Sequence, residues 1–193
     1  RRHTRCSGVS WASEMVIRDR YDIIERDQLL CGVGGGSAGF ARIDDKGQWA
    51  GLDADYCKAL AAAVLKDQDE VDYLVLSASV RFTALQNREI DVLIRNTTWT
   101  YTRDVSLGID FTGINFYDGQ GFIAWKDGNK TSLRDFDAGT SVCIVKNTTS
   151  LLNMKNYISQ HNLDIEILEF ISTAATEDSF FAHRCDLYTT DLS

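Results

Sequence analysis

The chain has 193 residues, enough for one large domain or two small lobes, and apolar residues make up 44% of it. Its formal charge is −8 and it contains no basic stripe, so neither a nucleic acid nor an anionic membrane is expected as a partner. The longest apolar run, Ala59 to Leu65, is far too short to cross a bilayer, and membrane insertion is not expected.

The first half of the chain is predicted to alternate strands and helices. Residues 1–28 lack a clear apolar period and predict an irregular arm, apart from a short helix over 21–26. The elements predicted after the arm are a buried strand at 29–33, a glycine-rich loop at 34–39, a hairpin turn at 44–47, a helix at 51–65, a strand at 71–76, a short helix around Phe82 and a strand at 90–94. This order predicts right-handed crossovers and a mostly parallel sheet.

A second α/β series follows a glycine-rich, aromatic segment. Its predicted elements are strands at 121–125, 141–145, 165–170 and 186–190, with helices at 148–159 and 174–183. Two helices have apolar positions on one face, Leu52, Tyr56, Leu60 and Val64 in the first half and Leu151, Met154 and Ile158 in the second. The fold class predicted is therefore α/β with two lobes and a hinge near 117–119. Lobe 1 is predicted at 29–117, lobe 2 at 118–190, and the start of a return crossover at 191–193.

Each predicted lobe contains a strand that ends in a basic residue followed by Asn-Thr-Thr. These segments are 95–98 and 146–149. The carboxyl ends of parallel strands are where α/β sheets bind ligands. A helix is predicted to begin after Thr149, so hydroxyl groups and orphan backbone N–H groups suited to a carboxylate would meet there. The alternative is that both segments are ordinary helix caps, a position that threonine favours.

Two charged residues extend this candidate site. Arg103 follows the first Asn-Thr-Thr by five residues, and its guanidinium could grip a carboxylate with two parallel hydrogen bonds. Asp191 ends the last predicted strand and could receive an ammonium group. The alternatives are a solvated surface arginine paired with Asp104, and an aspartate that serves as a helix cap.

The five cysteines, at positions 6, 31, 57, 143 and 185, form no C-x-x-C pair, and the three histidines are scattered. A zinc site is therefore not expected, and the cysteines are either buried free thiols or disulfides of an oxidising compartment. The glycine-rich loop lacks the lysine and spacing of a P-loop, and no G-x-S-x-G sequence occurs. We predict no cofactor, no metal and no catalysis.

Taken together, several segments resemble the family 3 solute-binding proteins, and within them the general L-amino acid-binding branch of ABC importers. The segments are 30–39, 44–57, 81–86, 90–100, 103–108, 111–113, 117–122 and 185–191. The resemblance covers residues 29–193, whereas residues 1–28 do not look like the family. Family members continue well beyond position 193, so we expect the first lobe to lack its closing segment.

The resemblance implies a two-lobed periplasmic binding protein-like (type II) fold that closes on its ligand, an L-amino acid, and delivers it to an ABC transporter permease in the periplasm. It implies that Thr98, the backbone near it and Arg103 receive the α-carboxylate, that Thr148 and Thr149 contribute from the second lobe, and that Asp191 takes the α-ammonium. The alternatives are a ligand-sensing receptor domain of the same fold and a cyclohexadienyl dehydratase-like enzyme.

Selectivity for the ligand's side chain has to come from other residues. Arg95 favours polar or acidic side chains, although it could instead brace its own loop. The candidate selectivity residues are Ser37, Phe40, Phe82, Arg95 and Asn147. Asn96 is predicted as a further binding residue.

The cysteine positions also support a specific pairing. Cys31 and Cys57 fall in one predicted lobe, and Cys143 and Cys185 lie in or just before strands of the other. We therefore predict disulfides Cys31–Cys57 and Cys143–Cys185, with Cys6 left over.

Overall fold

The computed structural model describes residues 19–126, 132–136 and 138–193. By the contacts among its residues the chain divides into two compact units. The first unit contains the described residues up to Leu76 and Arg81–Thr97, and the second contains Ser77–Val80 and Thr98–Ser193. The lobe boundary predicted near Tyr117 falls inside the second unit, and it stays a prediction.

The first unit is built on a three-stranded parallel sheet. Its elements are α1 (19–26), β1 (Leu29–Val33), β2 (Arg42–Ile43), β3 (Trp49–Ala50), α2 (Leu52–Leu65), β4 (Val71–Val75), α3 (Arg81–Gln86) and β5 (Val92–Leu93). The strand order is β4-β1-β5, with Cys31 opposite both Tyr73 and Val92. Leu29, Cys31 and Val33 of the central strand are fully buried. The predicted parallel sheet is confirmed for this unit.

Gly51 sets the start of α2 against the glycine-rich loop. Its φ is 115°, and a β-carbon there would collide with the carbonyl of Phe40. This close approach lets the first backbone N–H groups of the helix find acceptors outside it. Leu52 N donates to the Gly39 carbonyl at 2.9 Å and Asp53 N donates to the Phe40 carbonyl at 2.9 Å.

The apolar face predicted for α2 is wrong at Tyr56 and is confirmed in part at Leu60 and Val64. Tyr56 is 45% exposed, and Leu60 and Val64 are only partly buried beside the cluster that contains Leu29. Small side chains together with the Cys57 half of a disulfide bring the helix close to β1, and bulky residues do not fit there. The residues that α2 buries are Asp53, Ala54, Cys57 and Ala61.

The end of the segment predicted as an irregular arm is a helix, and it packs on the first unit. Ile23 is buried in a cluster with Leu29 and Ala61. Arg26 forms an ion pair with Asp91, whose carboxylate also accepts a hydrogen bond from the Leu30 N–H at 2.8 Å. An apolar contact and a charge pair therefore make α1 part of the unit, as the short helix over 21–26 had suggested.

The second unit is a four-stranded mixed sheet with a helix on each face. Its elements are α4 (Tyr101–Ser106), β6 (Gln120–Ala124), a 3₁₀ turn (Leu133–Asp135), β7 (Thr140–Val145), α5 (Thr149–His161), β8 (Ile165–Phe170), α6 (Thr173–Phe181) and β9 (Leu187–Asp191). The strand order is β6-β9-β7-β8. β6 is antiparallel to β9, whereas β7 is parallel to both β8 and β9.

Alternate residues of β7 contact the two helices, as the period of a strand requires. Val142 and Ile144 pack with Leu151 and Met154 of α5, and Cys143 packs with Phe180 of α6. The inward positions predicted for the second-half helix are confirmed at Leu151 and Met154, which are buried, and Ile158 packs against the same cluster.

Two features of the second unit were not predicted. The helix α4 begins after Thr100, whose hydroxyl accepts a hydrogen bond from the Arg103 N–H at 3.3 Å. Asp118, just before β6, accepts a hydrogen bond from the Ser193 hydroxyl at 2.6 Å, just after β9. Since β9 runs to Asp191, the predicted return segment 191–193 begins within a strand.

Both predicted disulfides are present, Cys31–Cys57 with a Cα–Cα distance of 6.2 Å and Cys143–Cys185 with 5.8 Å. Each lies within one unit and joins a buried strand to a helix or to the segment before a strand. Cys6 lies outside the described residues. Among the residues that are described, no helix is long and apolar enough to span a bilayer.

Candidate functional site

The carboxyl ends of β7 and β9 lie at the same edge of the second sheet, because the two strands are parallel neighbours. β7 ends at Val145 and β9 ends at Asp191. The chain leaves β7 through Asn147, which has a left-handed φ of 59°, and α5 begins at Thr149. This edge therefore combines an acidic side chain with the N-terminus of a 13-residue helix.

Thr148 and Thr149 have different roles at the start of α5. The Thr148 hydroxyl accepts a hydrogen bond from the Leu151 N–H at 3.2 Å and donates to the Val145 carbonyl at 2.8 Å. Thr148 is thus the helix cap that the alternative interpretation of this segment expected. The hydroxyl of Thr149 lies 3.0 Å from the hydroxyl of Thr98. The two Asn-Thr-Thr segments therefore meet through their last residues.

Arg103 lies beside this hydroxyl pair. Its Nη1 donates a hydrogen bond to the Thr98 carbonyl at 2.9 Å. Burial lowers the pKa of Arg103, while the negative charge of Asp191 acts in the opposite direction. An arginine starts from a pKa so high that it stays charged at neutral pH. The guanidinium of Arg103 is therefore hydrogen-bonded to the backbone of Thr98, and it interacts electrostatically with Asp191.

Asn147 also belongs to the second unit, and its side-chain amide donates to the Ser79 hydroxyl at 3.3 Å. The arrangement formed by Thr98, Arg103, Thr149 and Asp191 suits a ligand with an ammonium and a carboxylate group attached to the same carbon atom. A carboxylate can accept from a guanidinium, hydroxyls and the helix N-terminus, and an ammonium can donate to a carboxylate.

The other predicted binding residues belong to the first unit. The Ser37 carbonyl accepts hydrogen bonds from the N–H groups of Phe40 and Ala41 at 3.2 and 3.3 Å, which closes the glycine-rich loop. The guanidinium of Arg81 lies over the ring of Phe82, 4.8 Å from its centroid. The first contact holds the backbone at Ser37 and Phe40, and the second holds the ring of Phe82. All three residues are predicted selectivity positions.

Arg95 braces the end of β5. Its Nε and Nη2 donate to the side-chain oxygen of Asn96 at 3.0 and 2.7 Å, and its Nη1 donates to the Leu76 carbonyl. These bonds correspond to the bracing role that the sequence left open. They also hold Asn96, a predicted binding residue, by its side chain.

A buried acid was missed in the sequence. Asp53 is only 4% exposed, and burial raises its pKa from 3.8 to about 6, against the opposing effect of the positive charge of Arg95. It escaped notice because an aspartate in the first turn of a helix is common, and because the buried face of α2 was assigned to other positions.

The helix α4, which carries Arg103, was signalled by Thr100, a favourable cap residue. No group of three or more metal-ligating side chains occurs within the described ranges.

Comparison with known proteins identifies a family. The profile described as bacterial extracellular solute-binding proteins, family 3, matches residues 29–175. The general L-amino acid-binding periplasmic protein AapJ of Rhizobium johnstonii is 42% identical over 186 residues, 96% of this chain and 53% of the relative. The glutamate/glutamine/aspartate/asparagine-binding protein BztA of Rhodobacter capsulatus is 41% identical over 172 residues, 89% of this chain and 51% of the relative.

Solved structures agree with this result. An ABC transporter periplasmic binding protein from Brucella ovis with glutathione bound has 44% identity and a TM-score of 0.82, covering 89% of this chain and 54% of its own. An ancestral amino acid-binding protein, described as a precursor of cyclohexadienyl dehydratase, has 25% identity and a TM-score of 0.76, covering 90% and 72%.

The match to AapJ covers 186 of the 193 residues and so extends into residues 1–28, whereas the family profile begins at residue 29. The chain spans about half the length of the curated relatives it matches. The predicted α/β fold of a periplasmic binding protein is confirmed by the solved structures. The extent of the profile match and the identity to AapJ establish that this chain belongs to family 3 of the bacterial extracellular solute-binding proteins.

Proposed function

We propose that this protein binds free L-amino acids and holds their α-amino and α-carboxyl groups with the second unit. In this proposal Arg103, Thr98 and the start of α5 at Thr149 bind the α-carboxylate, and Asp191 binds the α-ammonium. The observation that carries the proposal is the 3.0 Å distance between the Thr98 and Thr149 hydroxyl oxygens. It is supported by the negative charge of Asp191, which acts to raise the pKa of Arg103.

Desolvation explains why this set of groups is needed. A zwitterion that leaves water for a protein site needs an opposite charge or several hydrogen bonds for each of its own charges, since otherwise binding is unfavourable. Arg103 and Asp191 supply the two charges. The hydroxyls and the orphan N–H groups of α5 supply the hydrogen bonds.

The same contacts cannot choose between amino acids, because every amino acid has these groups. Selectivity is proposed to come from Ser37, Phe40, Phe82, Arg95 and Asn147. A preference for polar or acidic side chains is supported by BztA, which is named for glutamate, glutamine, aspartate and asparagine. Since Arg95 donates several hydrogen bonds inside its own unit, its charge is partly committed to bracing. The proposed ligand position in a cleft between two lobes remains a prediction from the sequence.

The proposed role is capture of amino acids in the periplasm and delivery to an ABC transporter permease. Support comes from the family description as extracellular solute-binding proteins and from relatives named as periplasmic and as ABC transporter-binding proteins. We propose no catalytic step, because Asp191, the acid at this site, is already assigned to the ammonium.

Calorimetric titration of the purified chain with the twenty L-amino acids tests this function. At least one amino acid should bind, and its N-acetyl and α-amide derivatives, which each lack one of the two charges, should bind at least a hundredfold more weakly. Absence of binding by all twenty would overturn the proposal. Equal binding of the blocked derivatives would overturn the roles of Arg103 and Asp191.

Glutathione is a second candidate ligand, because the Brucella ovis protein that is 44% identical was solved with glutathione bound. Its glutamyl end has a free α-ammonium and α-carboxylate and could use the same contacts as a free amino acid. Titration with glutathione and with S-methylglutathione, next to L-glutamate, separates the two candidates. Tighter binding of glutathione than of any amino acid would favour the peptide.

A further inference from the structure

We infer that Gln120 is a positioning residue for the amino-acid site, a role that rests on the function proposed above. Gln120 is the first residue of β6, where it pairs with Asp191 of β9. Its half-buried side chain extends to the first turn of α5. It thus joins the two elements that supply the proposed carboxylate and ammonium contacts.

The amide group of Gln120 makes three hydrogen bonds. Nε2 donates to the Ser150 carbonyl at 3.2 Å and to the Thr189 hydroxyl at 2.9 Å, and Oε1 accepts from the Asn153 amide at 3.1 Å. Ser150 and Thr189 are 6% and 1% exposed, so two of these bonds are made away from water, where their loss is costly.

These partners fix the orientation of the amide. A carbonyl such as that of Ser150 can only accept, so the NH₂ group of Gln120 has to face it. Thr189 accepts from Gln120 and can then donate its own proton to the Gly121 carbonyl, 2.7 Å away. These hydrogen bonds therefore form a chain in which each group donates to the next. Asn153 donates to Gln120, Gln120 donates to Thr189, and Thr189 donates to the backbone of β6. No other side chain of the same size offers two donors and an acceptor here.

The consequence for the site is geometric. Ser150 directly follows Thr149, and Thr189 precedes Asp191 by two residues on the same strand. The apolar contacts of α5 through Leu151 and Met154 are not directional, so they permit small shifts of the helix along the sheet. The bonds of Gln120 are directional and set the distance from the start of α5 to the end of β9.

Two substitutions of nearly equal size separate positioning from charge. Gln120→Glu keeps the acceptor, loses both donors at neutral pH and adds a negative charge. Gln120→Met loses all three hydrogen bonds and adds no charge. If Gln120 positions the site, both variants should bind the preferred amino acid roughly tenfold more weakly. Weakening in Gln120→Glu alone would mean a charge effect and would overturn the inference.

A double-mutant cycle with Thr149→Val distinguishes positioning from general support of the fold. In the Thr149→Val background, Gln120→Met should weaken binding by less than about threefold, because the hydroxyl that it orients is already absent. Its effect on the denaturation midpoint should remain. A full tenfold loss of affinity in that background would overturn the inference.

Hydrogen exchange of the ligand-free chain gives a readout that does not depend on the proposed function. In both Gln120 variants the Leu151 and Asn153 amides should exchange at least fivefold faster, whereas the Ile158 amide in the later half of α5 should not change. If the parent chain binds no amino acid, the proposed function fails and this measurement still decides on Gln120. Unchanged exchange at Leu151 and Asn153 would show that Gln120 does not hold the start of α5.

Discussion

One strand in each unit is followed by nearly the same four-residue sequence, and the two copies have different roles. In residues 146–149 the chain turns at Asn147, Thr148 caps a helix, and α5 begins at once. In residues 95–98 no helix follows until Tyr101, and the basic residue folds back onto Asn96. Similar sequences therefore take different roles because the next helix begins at a different distance.

Charge is used differently in the two units as well. In the first unit Arg95 donates a hydrogen bond to the neighbouring Asn96, and its positive charge lowers the pKa of the buried Asp53 against the larger effect of burial. In the second unit Arg103 of α4 donates to the Thr98 carbonyl and interacts electrostatically with Asp191, at the end of β9. The first arrangement braces a fold, and the second suits a zwitterionic ligand.

The largest effect is expected from Arg103→Ala. It should weaken the binding of every amino acid by a similar factor of at least a hundredfold, because the α-carboxylate would lose its charged partner at a cost of roughly 3 to 5 kcal/mol. Arg95→Ala should instead lower the free energy of unfolding by about 1 to 3 kcal/mol, since the Leu76 carbonyl and Asn96 lose their donor. Calorimetry and denaturant unfolding of both variants measure the contrast.

Arg134→Ala is the matched control, because Arg134 is an exposed arginine of the second unit. Its affinities should equal those of the parent. If Arg103→Ala weakens only some amino acids, Arg103 recognises side chains. If it weakens none, Arg103 is a surface residue and the carboxylate contact has been assigned wrongly.

The disulfides are expected to have the next largest effect. Replacing both cysteines of a pair with serine should lower the free energy of unfolding by about 3 to 4 kcal/mol according to the chain-entropy treatment. The loss should be slightly larger for Cys143–Cys185, which joins residues 42 apart, than for Cys31–Cys57, which joins residues 26 apart. Thiol counting in denaturant without reductant should find one free thiol, that of Cys6, and five would contradict both pairs.

Much of this fold could be predicted from the sequence because it depends on local patterns. β1 and β8 were predicted to the residue, β1 from a continuous apolar run and β8 from apolar residues interrupted by two glutamates. The face of α2 could not be predicted in this way. Large residues spaced four positions apart suggested an apolar stripe, whereas close packing and a disulfide favour the small residues and bury Asp53.

The sequence indicates the two strand ends of the candidate site, but it does not indicate the contacts that support them. Threonine after a strand indicated both a cap and a ligand contact, and the structure assigns the cap to Thr148. The contacts of Gln120 could not be predicted, because they join residues 30 and 69 positions apart. No local period or motif reports on such pairs.

A pH effect of intermediate size is expected from Asp53. Its folded-state pKa of about 6 lies above the ordinary value of 3.8, so between these values the folded protein holds a proton that the unfolded chain has lost. Stability from this residue is therefore present below pH 4 and is lost as the pH rises through 6. The whole change corresponds to roughly 2 to 3 kcal/mol.

Asp53→Asn, which is neutral at every pH, should remove this dependence. Urea unfolding at pH 4.5 and 7.5 measures it as the difference between parent and variant, so that other titrating groups cancel. The variant should gain stability relative to the parent as the pH rises. A constant difference between the two proteins across this range would contradict the assignment, and it would mean that Arg95 fully compensates the buried carboxylate.

The smallest effect is expected where two adjacent threonines divide their roles. Thr148→Ala should lower the free energy of unfolding by about 1 kcal/mol, because the Leu151 N–H loses its acceptor. Thr149→Val, which has the same shape, should lower it by less than about 0.5 kcal/mol and weaken amino-acid binding roughly tenfold. Ser172→Ala is the control, since Ser172 caps α6 in the same unit and should cost stability without changing affinity. If Thr148→Ala weakens binding more than Thr149→Val does, the cap residue is the ligand contact, and the division between the two threonines is wrong.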